Sequence, residues 1–164
     1  MKAKFRIPSL LIILIILVTS CSQEDDGIYL NESVEAPISY TEIEFEIFDL
    51  VNDYRESIGV ARLNILNTIS LEAIPHTDYM LTKGEASHDN FELRYLNLRR
   101  KANAIKVSEN VAYGYSTAQS VVDAWLRSPS HKEIIESAEF TDFGISTKAN
   151  TDGKNYFTHI FIKR

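Results

Sequence analysis

The chain has 164 residues with 17 basic and 23 acidic side chains, a net charge of −6, and 45% apolar residues. That balance excludes a phosphate-backbone partner, which needs clustered Lys and Arg, so no nucleic acid is expected. One cysteine excludes any disulfide within the chain, and the fold has to be held by burial of apolar surface.

The chain opens as an export signal. Lys2, Lys4 and Arg6 form a basic start and Leu10 to Val18 is an unbroken apolar run of nine residues. A bilayer span needs ~20, so this is a signal peptide (residues 1–20) and not a membrane helix. Val18-Thr19-Ser20-Cys21 resembles the lipobox of bacterial lipoproteins, in which Cys21 becomes the lipidated first residue. Lipidation would tie the protein to a membrane and remove the only thiol as a nucleophile. Processing takes away three basic and no acidic residues, leaving a net charge of −9, which gives no polybasic attraction to anionic lipid. Residues 21–39 read as an acidic tether. Its Ser22-Gln23-Glu24-Asp25-Asp26-Gly27 also resembles the surface-export signal of some Gram-negative lipoproteins. The expected location is the cell envelope, on the outer membrane or cell surface.

Residues 40–164 form one domain. The first helix is expected from about Tyr40 to Ile58, with Ile43, Ile47, Leu50, Val51, Tyr54 and Ile58 on one stripe. Thr41 and Glu44 supply a capping box and Gly59 a left-handed stop. A second helix, about Thr68 to Thr82, turns Ile69, Ala73, Thr77 and Met80 inward. Pro75 is expected to kink or restart it, because an internal proline costs ~3 kcal/mol. His76 reads as an exposed surface histidine. Asn90 is placed to cap a third helix, Phe91 to Ala102, whose Arg94, Arg99, Arg100 and Lys101 read as a solvated basic face. Glu109 is placed just ahead of a fourth helix, which Ser116 and Gln119 cap and in which Trp125 is core. Ser128-Pro129 opens a short fifth helix with His131 in its first turn. Phe143 to Lys148 and Tyr156 to Lys163 read as strands joined by a turn-rich segment. His159 alternates with Tyr156 and Thr158, so it is expected on the opposite side of the sheet from them, as a hydrogen-bonded core or second-layer histidine. The result is an α+β chain, not a doubly wound parallel sheet.

Three stretches carry a resemblance: Ala86-Ser87-His88-Asp89-Asn90-Phe91, Ser108-Glu109-Asn110-Val111-Ala112-Tyr113-Gly114, and Ala124-Trp125-Leu126-Arg127-Ser128-Pro129-Ser130-His131-Lys132. Together they resemble the CAP superfamily (cysteine-rich secretory, antigen 5 and pathogenesis-related proteins) in its bacterial form, over roughly residues 43 to 163. The resemblance implies an α-β-α sandwich with a small antiparallel sheet between helical layers. It also implies a cleft that gathers His88, Glu109 and His131. Ser108 stands where the family has glycine, Ser128 where it often has a second glutamate, and Tyr156 where eukaryotic members have a last-strand histidine. Tyr113, Ser128 and Tyr156 are the candidate cleft lining.

One carboxylate and two imidazoles can provide three ligands to a divalent metal such as zinc, with a position left open. Imidazole binds metal only when neutral, and the positive end of a helix dipole at His131 favours the neutral ring. Without metal, the same set is a carboxylate orienting a histidine, sufficient for general-base work but lacking an activated nucleophile. It can equally be a purely structural polar cluster. No nucleophile elbow, His-Glu-x-x-His helix, phosphate loop or dinucleotide fingerprint is present. Three functions stand: a module binding a lipid, peptide or protein through the cleft, a metal-dependent protease-like hydrolase, and a structural envelope protein with a vestigial cleft.

Overall fold

In the computed structural model, residues 37–164 are described. The signal peptide, Cys21 and most of the tether lie outside them. Five helices and four strands follow in the order α1 (Glu42–Ser57), β1 (Asn64–Ile65), α2 (Asn67–Lys83), α3 (Phe91–Ala102), β2 (Lys106–Tyr115), α4 (Ala118–Arg127), α5 (Pro129–Glu136), β3 (Asp142–Ala149) and β4 (Asn155–Lys163). The strands form one sheet in the order β1-β3-β4-β2. β4 pairs antiparallel with both β3 and β2, while β1 lies parallel to β3. The expected antiparallel sheet is therefore mixed, through one short edge strand.

Alternation along β4 divides the core. Phe157, His159 and Phe161 face α1 and α4, where Phe48, Val51, Val122 and Trp125 are buried with them. Ile160 and Ile162 turn to the other face and pack with Ile69 and Ala73 of α2 and Leu98 of α3. A sheet buried on both faces by helices is the sandwich expected from the sequence. α2 meets β3 closely: a Cβ on Gly144 would lie 2.6 Å from the Ser70 backbone nitrogen and 2.8 Å from Ile69 Cβ.

Local signals explain most boundaries. The Thr41 backbone N–H donates to Glu44 Oε2 at 2.8 Å and its hydroxyl does so at 2.9 Å, starting α1. Gly59, at φ +76°, ends it in the left-handed region that glycine adopts without strain. Three expectations change. α2 runs unbroken through Pro75. Leu71, whose carbonyl loses its donor there, is exposed, and the buried stripe of Ile69, Ala73, Thr77 and Met80 holds the helix to the sheet. α4 starts one residue later than expected, with Thr117 Oγ1 accepting from Ser120 N–H at 3.2 Å. Asn90 sits at the start of α3 in the left-handed region, φ 58°, without a side-chain cap bond.

The largest omission is β2. Its Val107, Glu109, Val111 and Tyr113 alternate with Ser108, Asn110 and Ala112, a pattern in which buried polar residues hide the period. Glu109 consequently stands in the middle of a strand, not in a loop before a helix.

Candidate functional site

Glu109 projects from β2 and is buried, with 5% of its surface exposed. Arg94 reaches it from α3: Nε donates to Oε2 at 2.7 Å and Nη2 to Oε1 at 2.8 Å. His88 Nδ1, on the loop between α2 and α3, donates to Oε1 at 2.9 Å. A carboxylate can only accept here, so Nδ1 carries the proton, and Nε2 of the half-exposed ring is left for solvent or ligand. Burial pulls the Glu109 pKa up, but the hydrogen bonds from His88 and Arg94 and the charge of Arg94 outweigh it and hold the group below its ordinary value.

The loop carrying His88 is clamped from both helices. His76 Nε2 on α2 donates to the Ser87 carbonyl at 2.7 Å, and its ring stacks on Tyr79. Met80 Sδ accepts the Ser87 N–H at 3.4 Å. Arg94 Nη1 donates to the Asp89 carbonyl at 2.8 Å, and Tyr79 and Lys83 both bond the Asp89 carboxylate. Those two donors hold the exposed Asp89 carboxyl down at about 2. His76 is not the surface residue expected: it is 4% exposed and its Nε2 lies 3.9 Å from Glu109 Oε1. Burial lowers its pKa, against the pull of the Ser87 hydrogen bond. Arg94 likewise leaves the expected solvated face, with 5% exposure. Both could have been found by spacing. His76 continues the inward stripe of Ile69, Ala73 and Met80, and Arg94 shares the α3 face of Leu98 and Ala102.

His131 enters from the other side, on α5. Its carbonyl accepts from Asn110 Nδ2 at 3.2 Å. Burial first, and then the charge of His88, lower its pKa and favour the neutral ring. The ring lines a cavity of about 540 Å³ with Ala86, Tyr113, Tyr115, Trp125 and Ser128. Tyr156 does not line it. It is buried beneath Tyr113, the rings stacked with centroids 4.3 Å apart. A smaller hollow of about 260 Å³ carries His88, Glu109, Ser108 and Ile134. A larger groove of about 800 Å³ shares Ser108 and Ile134 with it and runs between β2 and α5, past Lys106, Lys132 and Phe140. We place the site at the two hollows that carry His88 and His131, because the larger groove contains neither imidazole.

A metal does not fit the expected ligand set. Both Glu109 oxygens are held by Arg94, and one also by His88. Among the described residues no group of three or more His, Cys, Asp or Glu side chains is arranged to hold a metal ion. His88 and Glu109 thus share one hollow with a neutralised floor and His131 lines a second; the candidate cleft is this pair of hollows, not a three-ligand centre. His159 is fully buried among Phe48, Trp125, Phe143 and Phe161, outside the cleft, but it is not the hydrogen-bonded histidine expected: this aromatic surround offers neither ring nitrogen a partner among the described residues.

The sandwich and this cleft define a recognisable class of domain. The cysteine-rich secretory protein (CAP) family model matches residues 48–161, most of the chain, and the protein belongs to that family. Among curated proteins it is 28% identical over 127 residues to the uncharacterized membrane protein YlbC of Bacillus subtilis, covering 76% of this chain and 35% of that one. It is also 28% identical over 118 residues to the uncharacterized protein YkwD of the same organism, covering 70% of this chain and 46% of the relative. The chain thus spans less than half the length of these two relatives. Among solved structures, an outer surface protein of Borrelia burgdorferi superposes with a TM-score of 0.68 at 23% identity, covering 77% of this chain and 96% of that one. An extracellular SCP-domain protein of Bacillus anthracis gives 0.65 at 23% identity, covering 78% of this chain and 45% of that one. Those two likenesses establish the fold.

Proposed function

We propose that the chain is a lipid-anchored, extracytoplasmic binding module that holds a lipid, peptide or protein ligand in the His88–His131 cleft. The observation that carries this reading is the state of Glu109. Its carboxylate is spent on Arg94 and His88, which makes it a fixed polar floor and not a free base. Beside it a cavity of about 540 Å³ with aromatic walls is large enough for a ligand. A few oriented polar groups next to apolar volume are what a binding pocket requires. The envelope location is supported by the signal peptide and lipobox of the sequence. It is also supported by the relatives, one named a membrane protein, one an outer surface protein and one extracellular.

Two experiments test it. Mass spectrometry of small molecules co-purifying with the protein should find a species that Ala86→Trp, which fills the cavity, no longer carries. The same profile for both proteins would defeat the cleft reading. Cys21→Ala should move the protein from the membrane to the soluble fraction, and retention in the membrane would defeat the anchor. The hydrolase reading survives as a second one only through the Glu109–His88 pair, which orients an imidazole for general-base work. It requires cleavage of a casein substrate that His88→Ala abolishes.

A further inference from the structure

We propose that the outer face of α3 and the start of β2 form a docking surface for anionic lipid. From Phe91 to Lys106 the sequence holds five basic residues and one acidic residue, in a chain whose net charge is −6. Arg94 is consumed internally by Glu109. Lys101 pairs with Glu72 at 3.0 Å and Lys106 with Glu139 at 2.6 Å. Arg99 lies over the Tyr95 ring at 5.8 Å, and Arg100 donates to Asn97 Oδ1 at 3.2 Å. Neither meets a carboxylate among the described residues, so two exposed guanidinium charges go uncompensated.

The same segment carries Leu93, Leu96 and Ile105 with 60%, 50% and 66% of their surface exposed. Ile105 and Leu93 are the most exposed large apolar side chains among the described residues. Leu93, Leu96 and Arg100 follow a three-, then four-residue step and share one stripe of α3. Exposed aliphatic side chains flanked by arginine on a convex helix face suit a headgroup layer: the apolar tips enter the acyl boundary and the guanidinium groups stay among the phosphates. The overall negative charge of the chain conceals this local reversal.

The test uses the chain from residue 21 with Cys21→Ala, so that no acyl group contributes, sedimented with vesicles. Binding is expected to mixed phosphatidylglycerol–phosphatidylcholine vesicles, to weaken with salt, and to be lost with phosphatidylcholine alone. Each arginine near such a surface contributes about fivefold, so Arg99→Glu with Arg100→Glu should lower binding by at least about twentyfold. Leu93→Ser with Leu96→Ser should also lower it, while Ala86→Trp in the cleft should not, all with unchanged thermal melts. No binding to the anionic vesicles, equal binding to neutral ones, or indifference to charge reversal would overturn the proposal. If the native protein proves soluble in cells while the vesicle result holds, the anchor reading fails and the docking surface stands.

Discussion

Arg94 and Glu109 meet in a two-pronged pair, Nε to Oε2 at 2.7 Å and Nη2 to Oε1 at 2.8 Å, on side chains that are 6% and 1% exposed. Burial of this kind makes the partners interdependent: removing one strands the other's charge away from water, which typically costs ~3–5 kcal/mol. Arg94→Ala should therefore destabilise the domain by that order, measured by urea unfolding, and far more than His88→Ala at the rim. Arg94→Met combined with Glu109→Leu should recover most of the loss. A stability for Arg94→Ala within about 1 kcal/mol of the parent would show that water already solvates the carboxylate.

Zinc affinity follows from the same pair. A metal at Glu109 would have to displace a guanidinium and an imidazole hydrogen bond before gaining a ligand, and His131 does not touch the carboxylate. Calorimetry with zinc at neutral pH should detect no site in the cleft, and His88→Ala and His131→Ala should leave the trace unchanged. Heat that disappears in either variant would contradict this.

Acid stability should be governed by two groups, one carboxylate and one imidazole, that both lose their stabilising contribution as pH falls. Glu109 has a folded-state pKa below its ordinary 4.5, so it stabilises above that value and the contribution is lost as pH falls through the folded one. His159, driven down to about 3 by burial, is the reverse of a histidine that gains a partner. Below its ordinary value of 6.5 the unfolded chain binds a proton that the folded chain refuses. Stability then falls with pH by about 1.4 kcal/mol per unit until the folded value is reached. Among the described residues neither ring nitrogen of His159 has a hydrogen-bond partner, so His159→Phe removes no bond there. Going from about pH 6.5 to 5, the parent should lose about 2 kcal/mol more than His159→Phe. Parallel pH profiles for the two proteins would rule out a buried neutral imidazole.

How much of this was readable beforehand depended on whether a residue's role was local. α1 and α5 followed from Thr41, Glu44, Gly59 and Pro129, each of which acts within a turn of its own position. The core role of His159 followed from strand alternation. β2 did not, because Glu109 and Asn110 are buried polar residues whose partners lie 15 to 21 positions away in sequence. Arg94 and His76 were misplaced for the same reason. A charged side chain reads as surface until its counter-charge is known, even when its helical spacing puts it on the inward face. Pro75 failed in the other direction, since tertiary burial of one stripe outweighed a local penalty. The histidine–glutamate contact was visible as family resemblance, but the arginine that neutralises it was not.

The contact between α2 and β3 offers a test of packing independent of the cleft. Gly144 leaves room for Ser70, whose Oγ accepts the Ile145 backbone N–H at 3.0 Å. A methyl group at position 144 would meet Ser70 Oγ at 2.7 Å and Ile69 Cβ at 2.8 Å, and neither atom belongs to a long, flexible side chain. Gly144→Ala must push α2 off the sheet, break the Ser70 bond, or both, and overpacking of that kind costs typically about 1–3 kcal/mol. Because α2 also carries His76 and Met80, which pin the Ser87 peptide, the shift should reach His88. The expected result is a lowered thermal midpoint together with changed NMR chemical shifts of the His88 ring. A variant that melts like the parent would place α2 farther from β3 than the structure does, whereas a lowered midpoint with unaltered His88 ring shifts would confine the strain to the helix N-terminal half.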